Sequence, residues 1–496
     1  MPVNSLLFLF LFLPVTLFFA SIVSDRLKNP FLLAASWIFY AWGGVSYTSI
    51  LIGSTLVNYM AGLALDHARG ARSRKAWLVA GILLNLLPLV IFKYTGFLRD
   101  NINILIALFN GSPLVIRNLI LPLGISFYSF KAITYLVSVY RKECAAQRNF
   151  TDLALYISFF PSVLAGPIDR YVHFLPQLHG RKVTVEKFSS GIRRFVIGLG
   201  KKVLIANSLS LVTDQLFGYP VSGLTTPLAW LALFCYSLQI YYDFSGYTDM
   251  AIGLGRMFGF ELTENFNFPY ISRSIKEFWK RWHISLSTWL RDYIFLPLAY
   301  SSSRKMKKNR YLGLRTDHVL YMIATSVTFL VCGFWHGAAW NFVIWGLLHG
   351  LLLILEQLGL GKIVRHLYRP VQHLYAVFLL MITWVFFRTS SPADAFQFIG
   401  ILFGAGGKPM EWTVVREFIN PGLIVTVLIA VAGSTRIFYL VLRRMNRKLE
   451  DPRILVRGFS VNLIGIGTIL MVILLFAMSS LIILSGTNNP FIYFRF

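Results

Sequence analysis

The sequence predicts an all-α polytopic membrane protein, with roughly ten to twelve tilted transmembrane helices plus re-entrant and amphipathic pieces. Three observations predict it. The 496 residues are 56% hydrophobic and only 14% charged, where a water-soluble globule of this length carries more charge. Uncharged runs recur that match or exceed the roughly 20 residues a helix needs to cross a bilayer. The basic excess, a formal net charge of +26, sits in short loops between those runs. That is the pattern of cytoplasmic loops facing anionic lipid, not of a nucleic-acid binder. The bilayer then sets the architecture, and residues 1–496 read as a single integral-membrane domain.

Taken in order, Val3–Ser24 lacks a basic start and a small-residue cleavage site, so a retained span is expected and not a signal peptide. Pro30–Leu65 follows, with Gly43-Gly44 as a turn between two short spans. After a basic loop at 69–75, Trp77–Phe92 crosses, while Ile102–Phe109 is too short to cross and is expected at the interface. Leu119–Tyr140 can cross although Pro122, Gly124 and Lys131 interrupt it, and Leu153–Ile168 is a span or a re-entrant piece. Arg181–Lys202 mixes charged and apolar residues as amphipathic surface helices do. Leu228–Phe260 carries Asp243 and Asp249, which mark a polar cavity or a surface loop. Pro421–Val441 and Phe459–Ser485 cross near the end. Placing the basic loops 69–75, 304–315 and 443–457 in the cytoplasm puts both termini outside. There is no internal repeat, which weighs against a transporter built of inverted repeats.

The run between Asp317 and Glu356 holds no Asp, Glu, Lys or Arg, and its centre reads Cys332-Gly333-Phe334-Trp335-His336-Gly337-Ala338-Ala339-Trp340-Asn341. A titratable residue at membrane depth points to function by default; the alternative is a buried structural histidine. Gly333 and Gly337 allow another backbone close to His336. If the run is one helix, Cys332, His336 and Trp340 share a face, and His349 points elsewhere and need not join their site. Cys332 is a nucleophile or, more commonly, a small buried filler. The three cysteines show no paired spacing, so neither a disulfide framework nor a metal site is expected.

Ser272–Leu296 is the most informative amphipathic stretch. Ile275, Trp279, Trp282, Leu286, Trp289 and Tyr293 recur at helical spacing, and Arg273, Lys276, Lys280, His283 and Ser287 form a second stripe. Lipid phosphate explains the second stripe, and so does a polyanionic ligand at the cytoplasmic face. No nucleotide-binding glycine loop, His-Glu-x-x-His or Gly-x-Ser-x-Gly is present.

Glu277-Phe278-Trp279-Lys280-Arg281-Trp282-His283-Ile284-Ser285-Leu286-Ser287, with Trp289-Leu290-Arg291-Asp292-Tyr293 after it, resembles a hallmark of bacterial membrane-bound O-acyltransferases. Phe334-Trp335-His336-Gly337 resembles their second hallmark, and Asp243–Ala251 and Leu164-Ala165-Gly166-Pro167 also fit, along the AlgI-like branch that O-acetylates alginate and related polysaccharides. The resemblance implies a bowl of tilted helices around a central tunnel in the bacterial inner membrane. It implies His336 as catalytic histidine and His283 as the second histidine, with Arg273, Lys276, Lys280 and Trp282 on the donor and Trp335, Trp340 and Asp249 along the tunnel. It further implies acetyl-CoA as donor substrate with no permanently bound cofactor, and a periplasmic or extracellular acetyltransferase partner and polysaccharide acceptor. The ending Phe491-Ile492-Tyr493-Phe494 resembles a short C-terminal motif of export-type acyltransferase systems, in which Tyr493 accepts the acyl group; an interfacial aromatic anchor is the alternative. The competing functions are a transporter of an acylated carrier, or a scaffold of a polysaccharide secretion complex, without chemistry of its own.

Overall fold

A computed structural model of the chain describes all residues except 118, 312, 406–411, 438–439, 442–456, 487–490 and 492–496. Tyr493 therefore lies outside the described residues. The chain divides into two compact units, Met1–Gly198 with Tyr247–Thr263, and Leu199–Gly246 with Glu264–Phe496.

The first unit is built on α1 (Val45–His67), α2 (Ala71–Leu108) and α3 (Ile125–Tyr140). α3 is buried at every position from Ile125 to Val139, because it is apolar on all sides and starts where Gly124, at φ 75°, turns the chain. Its one cation, Lys131, reaches Ser162 Oγ at 2.6 Å, so the buried ammonium keeps a hydrogen bond in place of water. Asn58 and Asn85 exchange amide hydrogen bonds of 2.9 and 2.8 Å between α1 and α2, a polar clasp suited to an apolar solvent. Residues Ile102–Phe109 do not stand apart at an interface. Ile102–Leu108 is the last part of the 38-residue α2, which runs on through a π-helical turn at Val90–Tyr94.

α4 (Val185–Gly218) refines a second expectation: the amphipathic stretch is not a set of separate short helices but opens a continuous 34-residue helix that is a candidate span. In the first unit Arg194 on α4 pairs with Asp249 on α5 (Thr226–Met257) at 2.8 Å. In the second unit Lys202 pairs with Asp243 at 2.5 Å, both side chains almost wholly buried. Burying opposite charges together removes the cost of an isolated ion, which is how the polar motif of α5 is tolerated.

The second unit then runs through α6 (Ile275–Trp279), α7 (Ile284–Leu290), α8 (Thr316–His336), α9 (Trp340–Leu355) with a helical continuation to His366, α10 (Arg369–Arg388), α11 (Pro392–Leu402) and α12 (Gly465–Leu484). A two-residue β-hairpin precedes α8, with Arg310 opposite Arg315 and Tyr311 opposite Leu314. Among the described residues seven helices are long and apolar enough to cross, and two more, Phe8–Ile22 and Pro421–Gly433, are shorter. The chain is an all-α, multi-pass membrane protein.

The stretch Ser272–Leu296 is not the single amphipathic helix its spacing suggests. α6 ends at Trp279, and His283 adopts a left-handed φ of 44° before α7 starts. Lys276 and Lys280 therefore do not share a helical face with His283; both lysines are exposed and His283 is fully buried.

Candidate active site

α8 and α9 form an antiparallel hairpin whose turn carries His336. The helices pack at backbone contact because a Cβ on Gly333 would strike the Phe342 carbonyl and one on Gly346 the Phe329 carbonyl. α8 ends at His336 because Gly337 is extended (φ −164°), and a Cβ there would strike the Phe342 ring. The break changes the expected geometry. Trp340 does not continue the face of Cys332 and His336; it opens α9 and is 51% exposed. Cys332 is buried with no surface exposed.

His336 is held in aromatic rings. Its imidazole lies 4.9 Å from Trp335, 4.8 Å from Trp345 and 5.2 Å from Phe387, centroid to centroid and edge-on to each. Such T-shaped contacts orient a ring without occupying its nitrogens. Trp345 also lies 4.8 Å from His349, so one indole separates two histidines that spacing on a single helix had set apart.

His349 has a fixed role. Trp279 Nε1 donates to His349 Nδ1 at 3.3 Å, which leaves the proton on Nε2. That nitrogen then donates to Thr383 Oγ1 at 3.1 Å, and Thr383 Oγ1 donates to the Leu380 carbonyl at 2.8 Å. Both nitrogens are engaged in one tautomer, the state of a structural pin tying α6, α9 and α10 together.

His283 sits at the strained turn before α7, with Nδ1 3.2 Å from Asn265 Oδ1. Its ring is 4.6 Å from Phe244 and 5.9 Å from Trp335, so Trp335 stands between the two predicted histidines. Burial holds the His283 imidazole down to about 3, so it is neutral across the physiological range. Phe491, the last described residue, is buried with its ring 5.7 Å from Phe244.

Two clefts open at opposite ends of the hairpin. The first, about 800 Å³, is lined by Arg273, Lys276, His318, Lys362, Arg365 and Arg369, with Glu356 among them. The Glu356 carboxylate is already used: it accepts the backbone N–H of Ile275 at 2.7 Å and of Lys276 at 3.0 Å, and the Tyr375 hydroxyl at 3.2 Å. The lining carries five Lys and Arg side chains against two carboxylates, Glu277 and Glu356, so its charge is net positive. The second cleft, about 620 Å³, lies at the turn and includes Ala339, Asn341, Phe342 and Arg388 in its wall.

These positions sort the predicted donor and tunnel residues. Arg273 and Lys276 line the first cleft; Lys280 is not among its lining residues. Trp282 is 1% exposed, stacked on Phe278 at 5.4 Å and packed on Trp384 at 5.1 Å, a core ring with no face for a donor. Trp335 is buried beside His336, and Asp249, in the first unit, is paired with Arg194. Spacing missed Lys362, Arg365, Arg369, Trp345 and Glu356. The signal was available on α9 and just past it: Phe342, Trp345, His349 and Glu356 follow at intervals of 3, 4 and 7, one face of a helix.

The model of the membrane-bound O-acyltransferase family matches residues 32–391. The chain belongs to that family. This membrane-bound O-acyltransferase is 38% identical to a protein named "Probable alginate O-acetylase AlgI" of Azotobacter vinelandii, over 100% of both chains. It is 42% identical to the "Probable alginate O-acetylase AlgI" of Pseudomonas aeruginosa over 82% of this chain and 75% of that one. It is 33% identical to the "Peptidoglycan O-acetyltransferase" of Helicobacter pylori over 82% of this chain and 80% of that one. The matched span contains α8, α9 and α10, so the hairpin and its ring cluster lie within the part the family shares.

Proposed function

We propose that this O-acyltransferase moves an acetyl group from cytoplasmic acetyl-CoA to a hydroxyl acceptor outside a bacterial inner membrane, for acetylation of an exported polysaccharide. The observation that carries the proposal is the position of His336, at the turn of a hairpin with a cationic cleft at one end and a mixed polar and aromatic cleft at the other. The basic loop 304–315, placed in the cytoplasm by its charge, precedes α8 on the side of the cationic cleft. Twenty-one residues of α8 rise roughly 30 Å, enough to bring His336 to the far side. The names of the relatives support a polysaccharide acceptor.

The donor's phosphates sit among Arg273, Lys276, Lys362, Arg365 and Arg369, where Arg forks and Lys point charges bind them. His336 acts as general base. Its imidazole takes the proton of the acceptor hydroxyl as that oxygen attacks the thioester carbonyl. The C–S bond breaks, and the departing thiolate takes the proton from the imidazolium. The dry ring cluster shields the thioester from water. Trp335 orients the His336 ring, and His283 packs against that indole.

A second reading, in which Tyr493 receives the acetyl group first and passes it to an extracytoplasmic acetyltransferase partner, is favoured by one observation: the burial of Phe491 against Phe244, two residues upstream. The test is purified protein with radiolabelled acetyl-CoA and candidate acceptors. His336→Ala should lower transfer by roughly 10² to 10⁴ while inserting normally. Transfer at the unaltered rate would leave the transporter or scaffold readings standing. Tyr493→Phe separates direct transfer from the relay, since it removes one hydroxyl and keeps the ring.

A further inference from the structure

Trp345 carries a polar atom that the fold leaves unused. An indole nitrogen can only donate, and a buried indole ordinarily finds an acceptor. Other indoles of this chain do so: Trp37 Nε1 donates to Ser158 Oγ at 3.3 Å, Trp230 Nε1 to the Leu402 carbonyl at 2.9 Å and Trp279 Nε1 to His349 Nδ1 at 3.3 Å. Trp345 is fully buried, and its Nε1 has no acceptor among the described residues. A donor kept from water with nothing to bond destabilises the fold, so its presence needs a reason.

Its position supplies one. The indole stands edge-on to the His336 imidazole with centroids 4.8 Å apart, so atoms reacting at a His336 nitrogen lie within about a ring's width of it. Phe387, against the same imidazole, has no polar atom to offer. The indole is also held still. It stacks on Trp384 at 5.9 Å, and His349, itself fixed by Trp279 and Thr383, packs on it at 4.8 Å. The next residue, Gly346, is where α9 meets the Phe329 carbonyl of α8, which sets the backbone beneath the ring. A donor fixed before the reaction needs no reorganisation during it, the property an oxyanion site requires.

The chemistry calls for such a donor. As the acceptor oxygen bonds to the thioester carbon, its proton passes to His336 and the carbonyl π pair moves onto the carbonyl oxygen. That negative charge develops among aromatic rings, where water is excluded and a single N–H is worth more than in solution. When the π bond re-forms, the C–S bond breaks, and the thiolate takes the proton from the imidazolium.

We propose that Trp345 Nε1–H is the oxyanion donor of this enzyme, bonding the acyl carbonyl oxygen while the intermediate is tetrahedral. The assignment rests on the O-acyl transfer reading above and adds a second catalytic group to it. Because the donor acts on the acyl carbonyl, it serves any hydroxyl acceptor.

The test replaces Trp345 with benzothienylalanine by codon suppression, which exchanges the N–H for sulfur and keeps the ring's size and stacking. Steady-state transfer from acetyl-CoA is measured with the full chain in proteoliposomes, and unfolding is followed in parallel. The variant should lower kcat by roughly 10² to 10³ and leave the KM for acetyl-CoA within about twofold. The midpoint of the kcat–pH profile, set by His336, should stay in place. The unfolding midpoint should hold or rise, since an unmatched buried donor has gone. The same replacement at Trp279, whose N–H is spent on His349, should instead lower the unfolding midpoint and change kcat by less than about tenfold. At Trp345, a kcat within about threefold of the unaltered protein, a loss carried by a shifted pH midpoint, or a loss matched by a fall in stability like that at Trp279 would each overturn the assignment. Transfer undiminished in His336→Ala would remove the transfer reading itself, whereas His336-dependent transfer indifferent to the indole N–H would remove only the oxyanion donor.

Discussion

The two ends of the α8–α9 hairpin are built on opposite electrostatic plans. At one end cations outnumber their partners, and the single nearby buried carboxylate, Glu356, is spent on the backbone of α6. At the other end the cation Arg388 is matched by Asp214, and the open charge is the Asp394 carboxylate. On the proposed function the first cleft takes the donor's phosphates, and the second carries no such excess of cations. Between them Phe342, Trp345, His349 and Glu356 mark one face over about 21 Å of helical rise. On the proposed function donor and acceptor approach from separate ends, and His336 lies at the end of the hairpin away from the cationic cleft.

The largest expected effect breaks the comparison at its midpoint. His336 and His349 touch the same indole, yet only His336 is assigned the chemistry. His336→Ala should cost roughly 10² to 10⁴ in transfer rate. His349→Ala should mainly lower the free energy of unfolding, by about 1–3 kcal/mol, because Trp279 and Thr383 lose their partner. Equal losses of rate in matched amounts of folded protein would put both histidines in the reaction. At the donor end, Arg365→Gln with Arg369→Gln should raise the KM for acetyl-CoA by about tenfold or more with kcat held, and high salt should shrink the difference. Lys280→Gln, outside that cleft, should change the same KM by no more than about twofold. Equal responses of the two would return the donor to the exposed stripe of 273–280. The smallest effect belongs to Trp340→Ala: an exposed ring should change stability by within about 0.5 kcal/mol and leave transfer intact.

Membrane class and the close approach at the paired glycines were legible because composition and small-residue spacing act locally. A glycine at 333 says close approach whatever lies opposite, and Phe342 is what lies opposite. The stripes on 272–296 misled because helical spacing presumes a continuous helix, and the left-handed turn at His283 has no signal in a single sequence. The relation of His336 to His349 was missed for the same reason: counting along one helix ignored the extended Gly337, which folds the second helix back. Lys362, Arg365 and Arg369 drew no reading from the sequence, since only the third dimension brings them beside Arg273 and Lys276. Asp243 and Asp249 were visible as costly residues, but their partners Lys202 and Arg194 lie on α4, far away in sequence.

The most direct measurement is a sided one. Proteoliposomes carry labelled acetyl-CoA only on the face of the cationic cleft and a hydroxyl acceptor, with any partner acetyltransferase, only on the other. The account predicts labelled acceptor on the far face with the unaltered protein and none above background with His336→Ala. Labelled product confined to the donor's face, or far-face product undiminished in His336→Ala, would contradict it.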